Sequence, residues 1–161
     1  MIDNSERFAR AMALAAEGRS AEAAALFEDI LAAQPNHLAA AKGLADIVGS
    51  GAAKGDAAAA RRTVQRIEAE STYTVAKTAF VHGRFDVAIR CYRKVLEIDP
   101  GYDAALLGLA EACYGNDDTD AALGWYRAYL ERKLGAGELI LSDDGELLTL
   151  EEYRQRKRDK Q

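Results

Sequence analysis

The chain is short of the residues that interrupt or cross-link a fold. Its 161 residues hold two prolines (Pro35, Pro100), two cysteines (Cys91, Cys113) and two histidines (His37, His82). Cys91 and Cys113 lie inside helical patterns without Cys-x-x-Cys spacing, so they read as reduced, buried small residues rather than a disulfide framework or a zinc site. Aromatics are scarce, at 7%, and alanine is abundant. That balance points to closely packed helices, because alanine has the best helix propensity and lets helices approach one another. No apolar run reaches the roughly 18 residues of a membrane-spanning helix, and the first ten positions mix acidic and basic side chains, unlike a secretory signal. A cytoplasmic protein is expected. Also missing are a Gly-rich phosphate loop, a nucleophile elbow, metal-ligand spacing and a Ser-His-Asp arrangement, so no catalytic residue, cofactor or metal is expected, and the chain reads as a non-enzyme.

Charge is present but uneven. The formal net charge is −5, from 21 basic and 26 acidic residues, and residues 151–161 alone hold five Lys/Arg against three Asp/Glu. The acidic body gives no electrostatic footprint for nucleic acid. The basic patch of Arg154, Arg156, Lys157, Arg158 and Lys160 reads as the solvated face of a terminal helix.

In chain order, Asp3 and Glu6 suit a capping box for a first helix that Gly18 stops. Ser20 suits the N-cap of a second, Ala21 to about Ala33, burying Ala23, Phe27, Ile30 and Leu31 and ending at Gln34-Pro35-Asn36. A third runs from about Leu38 to Val48, broken by Gly49-Ser50-Gly51, and a fourth begins near Ala57 with Ala60, Val64 and Ile67 on one stripe. Between Asp56 and His82 there is neither Gly nor Pro. A tight break near Glu70-Ser71 is nonetheless expected, because Ser71 and Thr72 are cap residues and Tyr73-Thr74-Val75 is poor helix material. A continuous helix there would pull the two halves apart and invite domain swapping.

From Gly83 to Pro100 the pattern is at its clearest, with Ala88, Ile89, Tyr92, Val95 and Leu96 at helical spacing before the Asp99-Pro100-Gly101 turn. Helices at Asp103–Tyr114 and about Thr119–Lys133 follow, the latter with Ala122, Tyr126, Tyr129 and Leu130. Leu139-Ile140-Leu141 and Leu147-Leu148 flank Ser142-Asp143-Asp144-Gly145 as a short hairpin with Gly145 at the left-handed position. Asp143, Asp144 and Glu146 are too few for a Ca²⁺ loop and read as turn chemistry. Thr149 and Glu152 make a capping box for a last helix through about Lys160, with Glu152 and Arg156 as an i, i+4 pair.

Self-comparison supplies the organising signal. Gly83, Ala88, Tyr92 and Val95 match Asp117, Ala122, Tyr126 and Tyr129 at an offset of 34, and Gly18, Ala23, Phe27 and Ile30 match Gly55, Ala60, Val64 and Ile67 at an offset of 37. One helix hairpin is repeated, each copy burying its apolar face against the next. Residues Gly83, Phe85, Ala88, Tyr92, Val95 and Pro100 closely resemble the tetratricopeptide repeat family, and so do Gly18, Ala23, Phe27, Ile30, Leu31 and Pro35, and Leu109, Ala110, Ala122 and Tyr126. The resemblance covers roughly residues 4–134. The family's usual Trp and Gly in the first helix of each repeat are mostly replaced, with Leu44-Ala45 and Leu109-Ala110 as substitutes.

The resemblance implies an all-α, right-handed solenoid of four helix hairpins over residues 1–134; the turn and cap residues beyond it place a β-hairpin and a basic capping helix in residues 135–161. It also implies a concave groove lined by the first helix of each pair. The residues expected there are Phe8 and Met12, then Lys42 and Asp46, then Tyr73, Lys77 and Phe80, then Leu107, Glu111 and Tyr114. Thr72, Val75, Ala76 and Ala79 share the face that the family buries. The two-carboxylate clamp of Lys, Arg and Asn that some members use has no counterpart among these residues. His37 and His82 read as cations near helix C-termini, and Trp125 as a core or interface residue. The implied function is a non-catalytic adaptor that binds a peptide or helix of a protein partner. A homo-oligomeric scaffold, by domain swapping or through the hairpin, and a small secretion-type chaperone for hydrophobic cargo are the alternatives.

Overall fold

The computed structural model describes residues 3–136, 139–141 and 145–159. In order these form α1 (Asn4–Ala16), α2 (Ser20–Ala33), α3 (Leu38–Gly49), α4 (Ala57–Val81), α5 (Phe85–Ile98), α6 (Asp103–Gly115), α7 (Thr119–Gly135), β1 (Leu139–Leu141), β2 (Leu147–Thr149) and α8 (Leu150–Asp159). The fold class is the one the repeat predicts: helix hairpins, then a short β-hairpin and a terminal helix. The chain divides into two compact units, Met1–Thr72 and Tyr73–Gln161.

The first unit packs α1 on α2 and α2 on α3. Its core is Ala11, Leu14, Ala23, Ala24, Phe27, Ile30, Ala40 and Ile47, with Phe8, Leu31 and Leu44 packed against it. Farther along, Ile67 is buried and Val64 half-buried. The second unit packs α5 on α6 and α6 on α7, burying Ala76, Ala79, Ala88, Tyr92, Val95, Leu106, Leu109, Ala112, Cys113 and Ala122. Cys91 is half-buried, and both thiols are free.

The turn inside each hairpin is built the same way. Gly18, Gly51, Gly83 and Asp117 take left-handed φ values of 79, 76, 69 and 60°. Each of these residues donates its N–H three residues back, to Ala15, Val48, Phe80 and Tyr114, and the next N–H reaches five residues back, to Leu14, Ile47, Ala79 and Cys113. A single left-handed residue thereby satisfies the carbonyls that every helix C-terminus leaves open. The match of Asp117 to Gly83 in the repeat is thus a match of backbone conformation.

Several local expectations change. No break occurs at Glu70-Ser71, where α4 runs for 25 residues. Thr72, expected as a cap, bonds backward instead, Oγ1 to Glu68 O, as Thr63 Oγ1 does to Ala59 O and Thr78 Oγ1 to Thr74 O. An Arg66–Glu70 pair at 3.0 Å braces the turn that leads up to the expected break. With no Gly or Pro, helix continuation is the state that satisfies every backbone group. Asp56 caps this helix, its carboxylate accepting from Ala58 and Ala59 N–H.

Asp3 occupies the N-cap of α1 with extended backbone, but its carboxylate makes no cap hydrogen bond; this end is exposed, and water can satisfy the amides. Ser20 is the first residue of α2 rather than its cap. The tight Gly18 turn starts the helix one residue early, so Arg19 holds the cap position and grips Glu22 through two hydrogen bonds of 2.8 and 2.6 Å. Val75, expected to be buried, is 54% exposed.

At the C-terminal end, β1 and β2 pair antiparallel with Ile140 opposite Leu148, Leu148 is buried, and Gly145 has φ 83°. Ser142, Asp143 and Asp144 lie outside the described residues, as does Lys160. The Thr149–Glu152 capping box forms, with Thr149 N–H on Glu152 Oε2 at 2.7 Å and Glu152 N–H on Thr149 Oγ1 at 3.3 Å. These bonds hold the Glu152 carboxyl below its usual range, helped by nearby Arg156. Arg156 also pairs with Glu146 of the hairpin.

Candidate functional site

In the second unit a tyrosine cluster assembles around the face expected to form the groove. Tyr73 on α4 lies 5.8 Å from Tyr92 of α5 and 5.0 Å from Tyr102 before α6, ring centre to ring centre. The Lys77 ammonium stands 5.9 Å over the Tyr73 ring, within cation–π range. Tyr92 is 3% exposed, and its ring lies close against α6 at Gly108, where an added Cβ would stand 2.5 Å from Tyr92 Cζ. Burial, with Tyr73 and the Glu111 carboxylate nearby, pushes the Tyr92 phenol up to about 12. Burial, Glu111 and Tyr114 raise Tyr126 of α7 in the same direction.

Of the six groove candidates in this unit, the structure gathers Tyr73, Lys77, Glu111 and Tyr114 around Tyr92 and Tyr126. Tyr114 is 66% exposed, and Leu107 is half-buried. Phe80 lies elsewhere, edge-on to Phe85 at 5.6 Å, where it helps close the α4–α5 hairpin.

The first unit repeats this construction. Phe8 lies 5.8 Å from Phe27 and 5.4 Å from His37, and a Cβ on Gly43 would come within 2.6 Å of Phe27 Cζ. Met12 is 49% exposed, Lys42 pairs with Glu68 at 2.7 Å, and Asp46 is exposed. These residues are the counterparts of the second unit's at an offset of 65: Phe8 to Tyr73, Met12 to Lys77, Phe27 to Tyr92, His37 to Tyr102, Lys42 to Leu107, Gly43 to Gly108 and Asp46 to Glu111. Each unit therefore presents an aromatic, an apolar side chain, a lysine and an acid, with the apolar residue and the lysine exchanged between the two helices. Offsets of 34 and 37 compare single hairpins and miss this longer period, although Gly18-Arg19, Pro35 and Gly43-Leu44-Ala45 recur as Gly83-Arg84, Pro100 and Gly108-Leu109-Ala110.

Tyr92, Tyr102, Tyr126 and His37 were not among the expected site residues. His37 stands at the N-terminal end of α3 rather than at a helix C-terminus; its Nδ1 accepts from Ala40 N–H at 3.1 Å and caps the helix. His82 does sit at the end of α4, with Nδ1 2.7 Å from Thr78 O. Trp125 is half-buried. Among the described residues no three His, Cys, Asp or Glu are grouped to hold a metal ion, and no helix is long and apolar enough to cross a membrane.

This is a helical-repeat protein in which each unit seats an aromatic ring on a glycine of the neighbouring helix. Residues 73–137 match the family model described as tetratricopeptide repeat, an architecture of protein-interaction and scaffold modules. No curated protein sequence matches the chain. Similar solved structures include a crystal structure of MamA protein (19% identity, TM-score 0.44, covering 87% of this chain and 79% of that one). Others are MamA 41-end from Desulfovibrio magneticus RS-1 (18% identity, TM-score 0.43, 83% and 77% covered) and a Podosopora anserina putative kinesin light chain with TPR-like repeats (18% identity, TM-score 0.39, 81% and 74% covered).

Proposed function

We propose that the protein is a non-catalytic, cytoplasmic adaptor whose second unit binds a peptide or helix of a protein partner across α4 and α6. The observation that carries this reading is the tyrosine cluster: the exposed Tyr114 ring, Lys77 and Glu111 stand beside packed Tyr73, Tyr92 and Tyr126. Tyrosines give large contact area with few rotors to freeze, and flanking charges of opposite sign fix a segment's direction. A partner segment that suits this face offers an apolar side chain to the rings, a carboxylate toward Lys77 and a basic group toward Glu111.

The test is a paired affinity capture with quantitative mass spectrometry, using wild type and the double variant Tyr114→Ala, Lys77→Glu. Both side chains are exposed, so helix content by circular dichroism should be unchanged. A protein captured by wild type and lost from the variant supports the reading, and calorimetry on that purified pair should show at least about a tenfold weaker Kd. Equal capture by both would refute it.

A further inference from the structure

Helix α6 accepts α5 through a seat of small residues. Tyr92 lies over Gly108 and Phe85 over Gly115, where a Cβ would come within 2.6 Å of Phe85 Cε1. Between these two contacts Ala88 and Ala112 are both fully buried. The corresponding residues of α4, at the offset of 34, are Thr74, Thr78 and Val81. All three are exposed, Val81 to 78%, and with Tyr73, Lys77 and His82 they line an open cleft of about 430 Å³. On α1, the counterparts of Thr74, Val75, Thr78 and Val81 at the offset of 65 are Ala9, Arg10, Ala13 and Ala16. That face carries three alanines and an arginine, whereas two valines and two threonines suit a covered one.

The chain encodes the helix that would fill this seat. Residues 57–68 correspond to α5, with Ala57, Ala60 and Val64 in the places of Phe85, Ala88 and Tyr92. They belong, however, to the same continuous helix as the seat, and one half of a helix cannot fold back on the other.

We infer that a second copy of this chain fills the seat, with two α4 helices pairing antiparallel about a two-fold axis near Ala69. The α5–α6 register carries over directly. Val64 of one copy covers Thr74 of the other, Ala60 meets Thr78 and Ala57 meets Val81, and symmetry makes the contact twice. Such an interface is isologous and closes on itself as a dimer. It also sets Arg61 against Lys77 of the other copy, so screening of that repulsion should make the dimer tighter as salt rises.

The experiment uses the full chain and mixes two single-cysteine variants, Ala60→Cys and Thr78→Cys, each with Cys91 and Cys113 replaced by Ser. Mild oxidation should give a covalent heterodimer on a non-reducing gel, and light scattering of wild type should report a dimer. Val81→Asp, at a site outside both cores, should weaken that dimer by about tenfold or more while leaving helix content intact. A disulfide that forms only within one chain carrying both cysteines would mean that α4 breaks and stacks on itself, which overturns the proposal. So would a wild-type monomer with no cross-link at any salt concentration.

Discussion

Substituting Gly108 by alanine tests the packing argument most directly, because two well-calibrated effects oppose each other there. Gly→Ala inside a helix normally stabilises by about 0.8–1 kcal/mol through propensity. At Gly108 the new methyl would stand 2.5 Å from Tyr92 Cζ and 2.7 Å from Cε1, about an ångström inside the roughly 3.5–4.0 Å of an ordinary carbon contact. The ring cannot step aside cheaply: it is 3% exposed and backed by Tyr73. Overpacking of this kind costs about 1–3 kcal/mol, so the net change runs from about zero to a loss of about 2 kcal/mol. Gly124 on α7 is the control, since nothing lies within 4 Å of its added Cβ, and alanine there should stabilise by up to about 1 kcal/mol. Trp125 is the only tryptophan and lies on α7, so its fluorescence during urea unfolding follows the second unit. The two variants should separate by about 1–3 kcal/mol, with Gly108→Ala the weaker. If Gly108→Ala were stabilised as much as Gly124→Ala, the seat would not be as tight as described and the account of helix approach would be wrong.

Two further outcomes follow from local geometry. Asp103 binds Arg132 at 3.0 Å and Lys133 at 2.7 Å, which holds its carboxyl below the usual range. Its stabilisation is therefore fully present above the unfolded carboxylate value of about 3.9 and is lost as pH falls through the lower folded value. Asp103→Asn should cost about 0.5–1 kcal/mol at neutral pH and flatten the acid limb of a stability–pH curve; an unchanged acid limb would count against the pairing. Asp117 holds φ 60° without being glycine, so Asp117→Gly should raise the urea midpoint by about 0.5–1 kcal/mol in free-energy terms, and a loss would show that its side chain does more than tolerate the turn.

What the sequence disclosed well was whatever a single residue type dictates. Gly18, Gly51 and Gly83 marked helix ends, Pro35 and Pro100 marked the turns after second helices, and Thr149 with Glu152 marked a cap; all stand where expected, and the left-handed backbone at the three glycines is what the structure adds. Misreadings came where two local preferences compete. Ser71 and Thr72 are good caps, but hydroxyls also bond back to the carbonyl four residues earlier, and without a glycine or proline the helix continued. Ser20 lost the cap of α2 to Arg19 because the preceding turn, not the side chain, decides where the helix begins. Of the candidate site, Tyr73, Lys77, Glu111 and Tyr114 were named from the repeat resemblance. Their buried supports were not. Tyr92 and Tyr126 belong to the second helices of their hairpins, and only the three-dimensional packing joins them to the face.

The duplicated build of the two units bears on how this chain comes apart. Each unit has its own core and its own glycine seated against an aromatic ring. Repeat proteins of this kind melt according to the stability of each module plus the coupling between neighbours. A single transition midpoint then averages two local stabilities. All seven tyrosines and Trp125 lie in the second unit, so Trp125 fluorescence follows that unit alone while far-ultraviolet circular dichroism follows the helices of both. The gap between those two curves is a direct reading of cooperativity along the chain.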